Sequence, residues 1–246
     1  MKEQTHFFVQ KENEGCVEVY VLAPGIRISF NQIDTGSWPK GDSSFFPERM
    51  LTLNFCIGGR CDVSLAQNRY AIVKEQQVCV STIRPTKDFY YPGKHYYGIQ
   101  FYLDLSELER CGGQDFLTLL GIPLCQLQDT FCSADGLYLH HMNDTMLSLV
   151  QDTWASREEL DSGQLRYFMV RLLHELLTMP SESESDAYFT RSQIAIVREA
   201  EALILSNLSK RVTAREMAER FGISESSFKF YVKGILGESY LAYFRR

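Results

Sequence analysis

The hydrophobic period of this 246-residue chain changes once, near Leu103, and that change limits what it can fold into. Up to that point the apolar residues come in short runs rich in β-branched and aromatic side chains. Cys16–Leu22 and Ile26–Ile33 flank Ala23-Pro24-Gly25, and Met50–Ile57, Cys61–Leu65, Arg69–Val73, Val78–Ile83 and Tyr96–Leu103 follow. Gly58-Gly59, Gln67-Asn68, Glu75-Gln76 and Pro92-Gly93 separate them as turn signals. Closely spaced short strands of this kind predict a β-sandwich or small barrel.

Beyond Leu103 the spacing becomes helical. Tyr138, Leu139, Met142, Met146, Leu149, Val150 and Thr153 predict one helix. Leu165, Phe168, Met169, Leu172, Leu173, Leu176 and Leu177 predict a second with a wide apolar stripe, stopped by Pro180. The stripe holds more apolar residues than one barrel face needs, so part of it is expected to bury against a second copy of the chain. Ser181–Asp186 is short, polar and acidic, which suits a linker. The expected organisation is α+β: residues 1–180 as a β-barrel or sandwich with a helical pair, 181–190 as linker, and 191–246 as an all-α segment.

Charge follows the same division. The chain carries a formal charge of −6, yet residues 191–246 hold 10 Lys/Arg against 6 Asp/Glu, leaving 15 against 25 for residues 1–190. A basic end on an acidic body hints at nucleic-acid binding, although a charged helical face is often simply solvated. Met1–Thr5 is polar with no apolar run behind it, and no stretch nears the ~20 apolar residues of a membrane span, so a cytoplasmic, membrane-free protein is expected. The seven cysteines are spread out with no Cys-x-x-Cys pair, which predicts reduced, packed thiols and no metal. If Gly58-Gly59 were a hairpin turn, Cys56 and Cys61 would face each other and could oxidise.

One window has a definite local geometry. Thr213 with Glu216 forms a capping box, Ala218 is small where a second helix must cross, and Gly222 supplies the positive φ of a tight turn. Ser224 can cap the next helix, and Met217, Phe221, Ile223, Phe228 and Tyr231 are the apolar positions that hold the two helices at their angle. A helical hairpin closed by a glycine would explain part of this. The whole pattern, on the basic segment, reads as a helix-turn-helix.

From Arg211 to Arg246 the sequence resembles the first helix-turn-helix of the AraC-type bacterial transcription regulators and the start of their linker helix. Thr213, Ala218, Phe221-Gly222, Ser224, Gly237, Ser239 and Tyr243-Phe244 fall in the family's register, with Phe228 at its leucine position and Val232-Lys233 at its phenylalanine-lysine. Asn54–Arg60 and Tyr90–Gly93 resemble the family's sensor domains more loosely. The resemblance implies an effector-binding domain that dimerises through the helices of residues 138–179, and a DNA-binding unit. The family has a second helix-turn-helix that this chain is expected to lack. The base-facing positions map to Ser226, Lys229 and Phe230; Ser224 and Lys233 are further DNA candidates, and Arg215 is a phosphate-side one. Phe230 can only stack or touch a thymine methyl, and Glu225 repels phosphate.

The expected function is a ligand-responsive transcription regulator, a homodimer with DNA and a small-molecule effector as partners, no cofactor and no enzymatic activity. The alternative is a ligand-binding or regulatory protein that has lost strong DNA binding through the missing second unit. A barrel enzyme would need a catalytic or metal set: His95 stands alone among tyrosines, and His140-His141 are adjacent rather than alternate. The aromatic run from Phe89 to Tyr102 can line an effector pocket, or divide between core and surface by strand alternation.

Overall fold

The computed structural model describes residues 6–244 apart from 12, 39–45, 66–68, 87, 133–135, 184–187, 207–211 and 238. The strands follow from the turn signals. Pro24-Gly25, with Gly25 at φ +76°, joins β2 (Gly15–Ala23) to β3 (Ile26–Ile33), and β1 (His6–Lys11) pairs with β2 on its other side. Then come β4 (Ser37–Trp38), β5 (Met50–Ser64), β6 (Arg69–Lys74), β7 (Gln77–Ser81), β8 (Phe89–Tyr90) and β9 (Tyr96–Asp104). All described pairings are antiparallel, in the order β1-β2-β3-β9-β5-β6. β7 and β8 also pair with β5, and β4 pairs with β8.

Strand β5 makes the two-layer arrangement. Its first half pairs with β9 and β7 and its second half with β6 and β8, so one strand belongs to both sheets. A bulge between Cys56 and Gly58 bends it from one to the other. The Gly58-Gly59 hairpin turn expected from the sequence is therefore not formed: β5 bends there but continues as one strand. The extra residue also changes the alternation. Leu51, Leu53, Phe55 and Ile57 face the helices, Cys56 faces the space between the sheets, and Cys61, five residues on, faces it too. Cys56 and Cys61 are free thiols on one strand, not partners across a hairpin. Burial pushes both thiols up, which disfavours the reactive thiolate.

Helices cover the outer face of the first sheet. Asp104 caps α1 (Leu105–Arg110), followed by α2 (Gly113–Leu119) and α3 (Leu124–Phe131). Residues 137–141 depart from expectation. Tyr138 and Leu139 lie in a strand, β10 (Leu137–His141), paired with β7. The helix starts only after Asn143, whose side chain accepts from Met146 N–H, and runs as α4 (Asp144–Ala155). In α5 (Ser162–Leu177), Asp161 and Gln164 form a capping box. Its stripe of Leu165, Phe168, Met169, Leu172, Leu173 and Leu176 is buried within the chain, against Phe101, Phe55, Ile99 and their neighbours. Six of the seven stripe residues are thus covered within one chain and Leu177 partly so, and the stripe alone gives no ground for a second copy. The large apolar side chains left exposed nearby are Tyr167, Phe116 and Leu119. We expect Leu172→Ala to cost about 2–5 kcal/mol, with a denaturation midpoint independent of protein concentration. A midpoint that moves with concentration would return the stripe to an intersubunit role.

The stretch read as a linker is tied to the sandwich at both ends. Ser183 exchanges hydrogen bonds with the Leu139 backbone, and β11 (Tyr188–Thr190) pairs with β6. α6 (Arg191–Ser206), α7 (Ala214–Phe221), α8 (Glu225–Leu236) and α9 (Tyr240–Tyr243) follow, sharing a core that also contains Ile72 of β6 and Phe189 of β11. The helical end therefore packs on the outer face of the second sheet. Among the described residues no helix is long and apolar enough to cross a membrane.

Candidate nucleic-acid interface

The two helices α7 and α8 are fixed by their caps. Thr213 Oγ1 accepts from Glu216 N–H at 3.2 Å, while Glu216 Oε2 accepts from Thr213 N–H at 2.7 Å. At the other end Gly222 adopts φ +67°, and the Ile223 N–H donates to Ala218 O at 3.0 Å, the bond that closes a helix on a left-handed residue. Ser224 Oγ then accepts from Ser227 N–H at 3.0 Å and starts α8. With so short a connection, Ala214, Met217 and Ala218 of α7 meet Phe228, Val232 and Ile235 of α8. Tyr240 closes the far side, its hydroxyl donating to Val212 O at 2.7 Å.

Burying that face leaves the opposite one outside. Ser226, Lys229, Phe230 and Lys233 are exposed and spaced i, i+3, i+4, i+7, one stripe along α8. Ser224 stands apart from the stripe as the cap. Arg215 is exposed on α7 and pairs with Glu219 at 3.0 Å. The Glu219 carboxylate raises the Arg215 guanidinium pKa, with a smaller contribution from Glu225, so Arg215 lies within electrostatic reach of the first turn of α8. Lys229 Nζ is 2.6 Å from Glu225 Oε1. Each predicted cation of this face other than Lys233 thus has an acidic neighbour on its own helix. Lys210 and Arg211, two further cations that the sequence offers as phosphate contacts, lie outside the described residues.

One contact that the sequence did not reveal joins Phe189 to Gly234 and Phe230 of α8. Phe189 of β11 is buried, and its ring lies 6.0 Å from that of Phe230. A Cβ on Gly234 would stand 2.1 Å from Phe189 Cζ, so only glycine admits the ring there. A glycine inside a helix costs roughly 0.5–1 kcal/mol against alanine, and that anomaly was the available signal.

The space between the sheets is the second feature. Cross-strand register sets Ser29 of β3 and Asn54 of β5 on either side of Gln100 of β9, with Asn31 one row away. Ser29, Asn31 and Asn54 are buried. Tyr96 O–H donates to Asn54 Oδ1 at 2.6 Å, and Ser29 O–H to the Tyr102 hydroxyl at 3.4 Å. Burial raises the phenol pKa of Tyr91, Tyr96 and Tyr102, keeping each phenol neutral. The aromatic run divides by alternation: Tyr96 and Tyr102 point between the sheets, while Tyr97 and Phe101 pack toward Trp154 and Phe168. His95 is exposed, 3.7 Å from Asp34. Among the described residues no group of three or more His, Cys, Asp or Glu is placed to hold a metal ion.

No family model matches the sequence, and no curated protein matches it. Among solved structures, the AraC-like transcriptional activator CuxR superposes on 97% of this chain and 81% of its own, at 12% identity and a TM-score of 0.41. KdgF from Halomonas sp. covers 40% of this chain and 86% of its own at 13% identity and TM-score 0.31. Bacillus subtilis oxalate decarboxylase covers 43% and 29% at 9% identity and TM-score 0.31. Likenesses this distant assign no function.

Proposed function

We propose that this chain is a non-enzymatic, DNA-binding transcription regulator whose sandwich takes a small effector. The observation that carries the reading is the exposed stripe of Ser226, Lys229, Phe230 and Lys233 on the second helix of a tightly capped pair. A helix presented this way fits the major groove, with Lys229 and Lys233 toward phosphates or base edges and Arg215 toward the backbone. The buried hydroxyl and amide groups between the sheets support an effector site, since binding sites are mostly apolar with a few placed polar groups. Residues 1–180 would then sense and 191–246 would bind DNA, with 181–190 between them.

The internal ion pairs Lys229–Glu225 and Arg215–Glu219 favour a second reading, a ligand-responsive protein with little DNA affinity. A titration of the full chain against a labelled mixed-sequence duplex, from about 50 to 200 mM salt, separates the two. The regulator binds weakly at low salt and loses affinity steeply as salt rises. Absence of binding at the lowest salt would leave the second reading standing.

A further inference from the structure

The helical end is fastened to the sandwich at the flank of α8 that groove reading would need. β11 adds to the edge of β6 with Tyr188 opposite Ala71, Phe189 opposite Tyr70 and Thr190 opposite Arg69. From that strand Phe189 enters the notch left by Gly234 and rests beside Phe230, a member of the exposed stripe. A second fastening lies on α6. Arg198 Nη2 is 3.6 Å from Asp62 Oδ2, and its guanidinium lies 4.3 Å over the Tyr90 ring. Asp62 is 2% exposed and already held by Arg60 through two bonds of 2.7 Å, so the anchor on the sheet side is rigid.

A DNA major groove is about 12 Å wide, and an α-helix with its side chains about 10–12 Å across. The helix fills the groove. A strand and its sheet attached at the Phe230–Gly234 flank would therefore collide with the groove wall. We infer that this is a closed, self-inhibited state, and that β11 with Phe189 and the Arg198–Asp62–Tyr90 contact form a latch that must open before α8 can seat in DNA. The inference rests on the DNA-binding reading above. The latch is built to open: β11 is three residues long, and Arg198 is half-exposed. It is also built to be reached by an effector. Ala71 and Val73 of β6 face the space between the sheets, whereas Tyr70 and Ile72 face the helices, so one layer of strand separates the two. A ligand that shifts β6 shifts the edge on which β11 sits.

Two variants of the full chain test the latch against the same mixed-sequence duplex at low salt. In Arg69→Cys/Thr190→Cys the two positions are directly opposed, and cross-strand Cα spacings of about 4.5–5.5 Å suit a disulfide. Oxidation should lock the latch and weaken DNA binding at least roughly tenfold, with recovery on reduction and no such change in the wild-type chain under the same oxidant. Arg198→Ala should tighten binding, on the order of tenfold, although it removes a positive charge; loss of a phosphate-side cation would do the opposite. Equal affinity of the oxidised and reduced double variant, or weaker binding by Arg198→Ala, overturns the latch and leaves the DNA-binding reading intact. Failure of the disulfide to form overturns the strand pairing on which the latch depends. If no chain binds, wild type included, the DNA-binding reading falls and the latch with it.

Discussion

Gly59→Val is expected to abolish the cooperative unfolding transition of this protein. Gly59 sits where β5 turns from one sheet to the other, at φ +80°, a conformation that β-branched residues do not adopt without strain. Space is the larger obstacle. An added Cβ would lie 2.1 Å from His95 O and 3.0 Å from Tyr96 Cα, both backbone atoms of the chain paired with it. Neither can move without breaking the β5–β9 ladder. The cost should exceed about 4 kcal/mol, a large part of the roughly 5–15 kcal/mol that holds a domain folded. Gly93→Ala is the control, because nothing lies within 4 Å of its added Cβ. Circular dichroism melts should show a two-state transition for Gly93→Ala and none for Gly59→Val. A native-like transition in Gly59→Val would mean that β5 does not run through both sheets.

Lys229→Ala/Lys233→Ala is expected to remove most DNA affinity at low salt and to flatten its salt dependence. Each phosphate neutralised contributes about 0.9 to the slope of log K against log salt, so losing two contacts should lower the slope by about 1.8. Glu225→Gln should act in the opposite direction. It releases Lys229 from a carboxylate 2.6 Å away and removes a negative charge from the first turn of α8. Anisotropy titrations at several salt concentrations give both slopes. An unchanged slope in the double variant would remove α8 as the DNA-reading helix.

The parts of the fold that local chemistry decides were legible in the sequence. The capping box at Thr213, the left-handed Gly222 and the Ser224 cap are governed by residues within a turn of one another, and the structure places all of them as read. The strands flanking Pro24-Gly25 were legible for the same reason. What failed depended on distant partners. Gly58-Gly59 has the composition of a hairpin turn, but close approach by Tyr97 and the His95 backbone makes it a bulge within a strand. Tyr138 and Leu139 fit a helical period, yet pairing with β7 takes them into a sheet. The width of the α5 stripe was plain; what covered it was not, because α1 to α4 and the whole sheet face share that core. Of the candidate site, the exposed stripe was legible from helical spacing, while Phe189 in the Gly234 notch joins residues that no local pattern connects.

The order in which this chain leaves the ribosome has a consequence for its sheets. β3 finds β2 at once, but its other edge pairs with β9, roughly 60 residues later, and the first half of β5 waits for the same strand. At about 5–20 residues per second, β3 stands half-paired for roughly 3–12 s of synthesis. Through that interval Ile28 and Phe30 beside the open edge, destined for the core, lack their covering helices, since α5 ends only at Leu177. Nascent chains are most open to wrong strand pairing at this stage, so yield in the cell should depend on what shields that edge before Tyr96–Asp104 arrives.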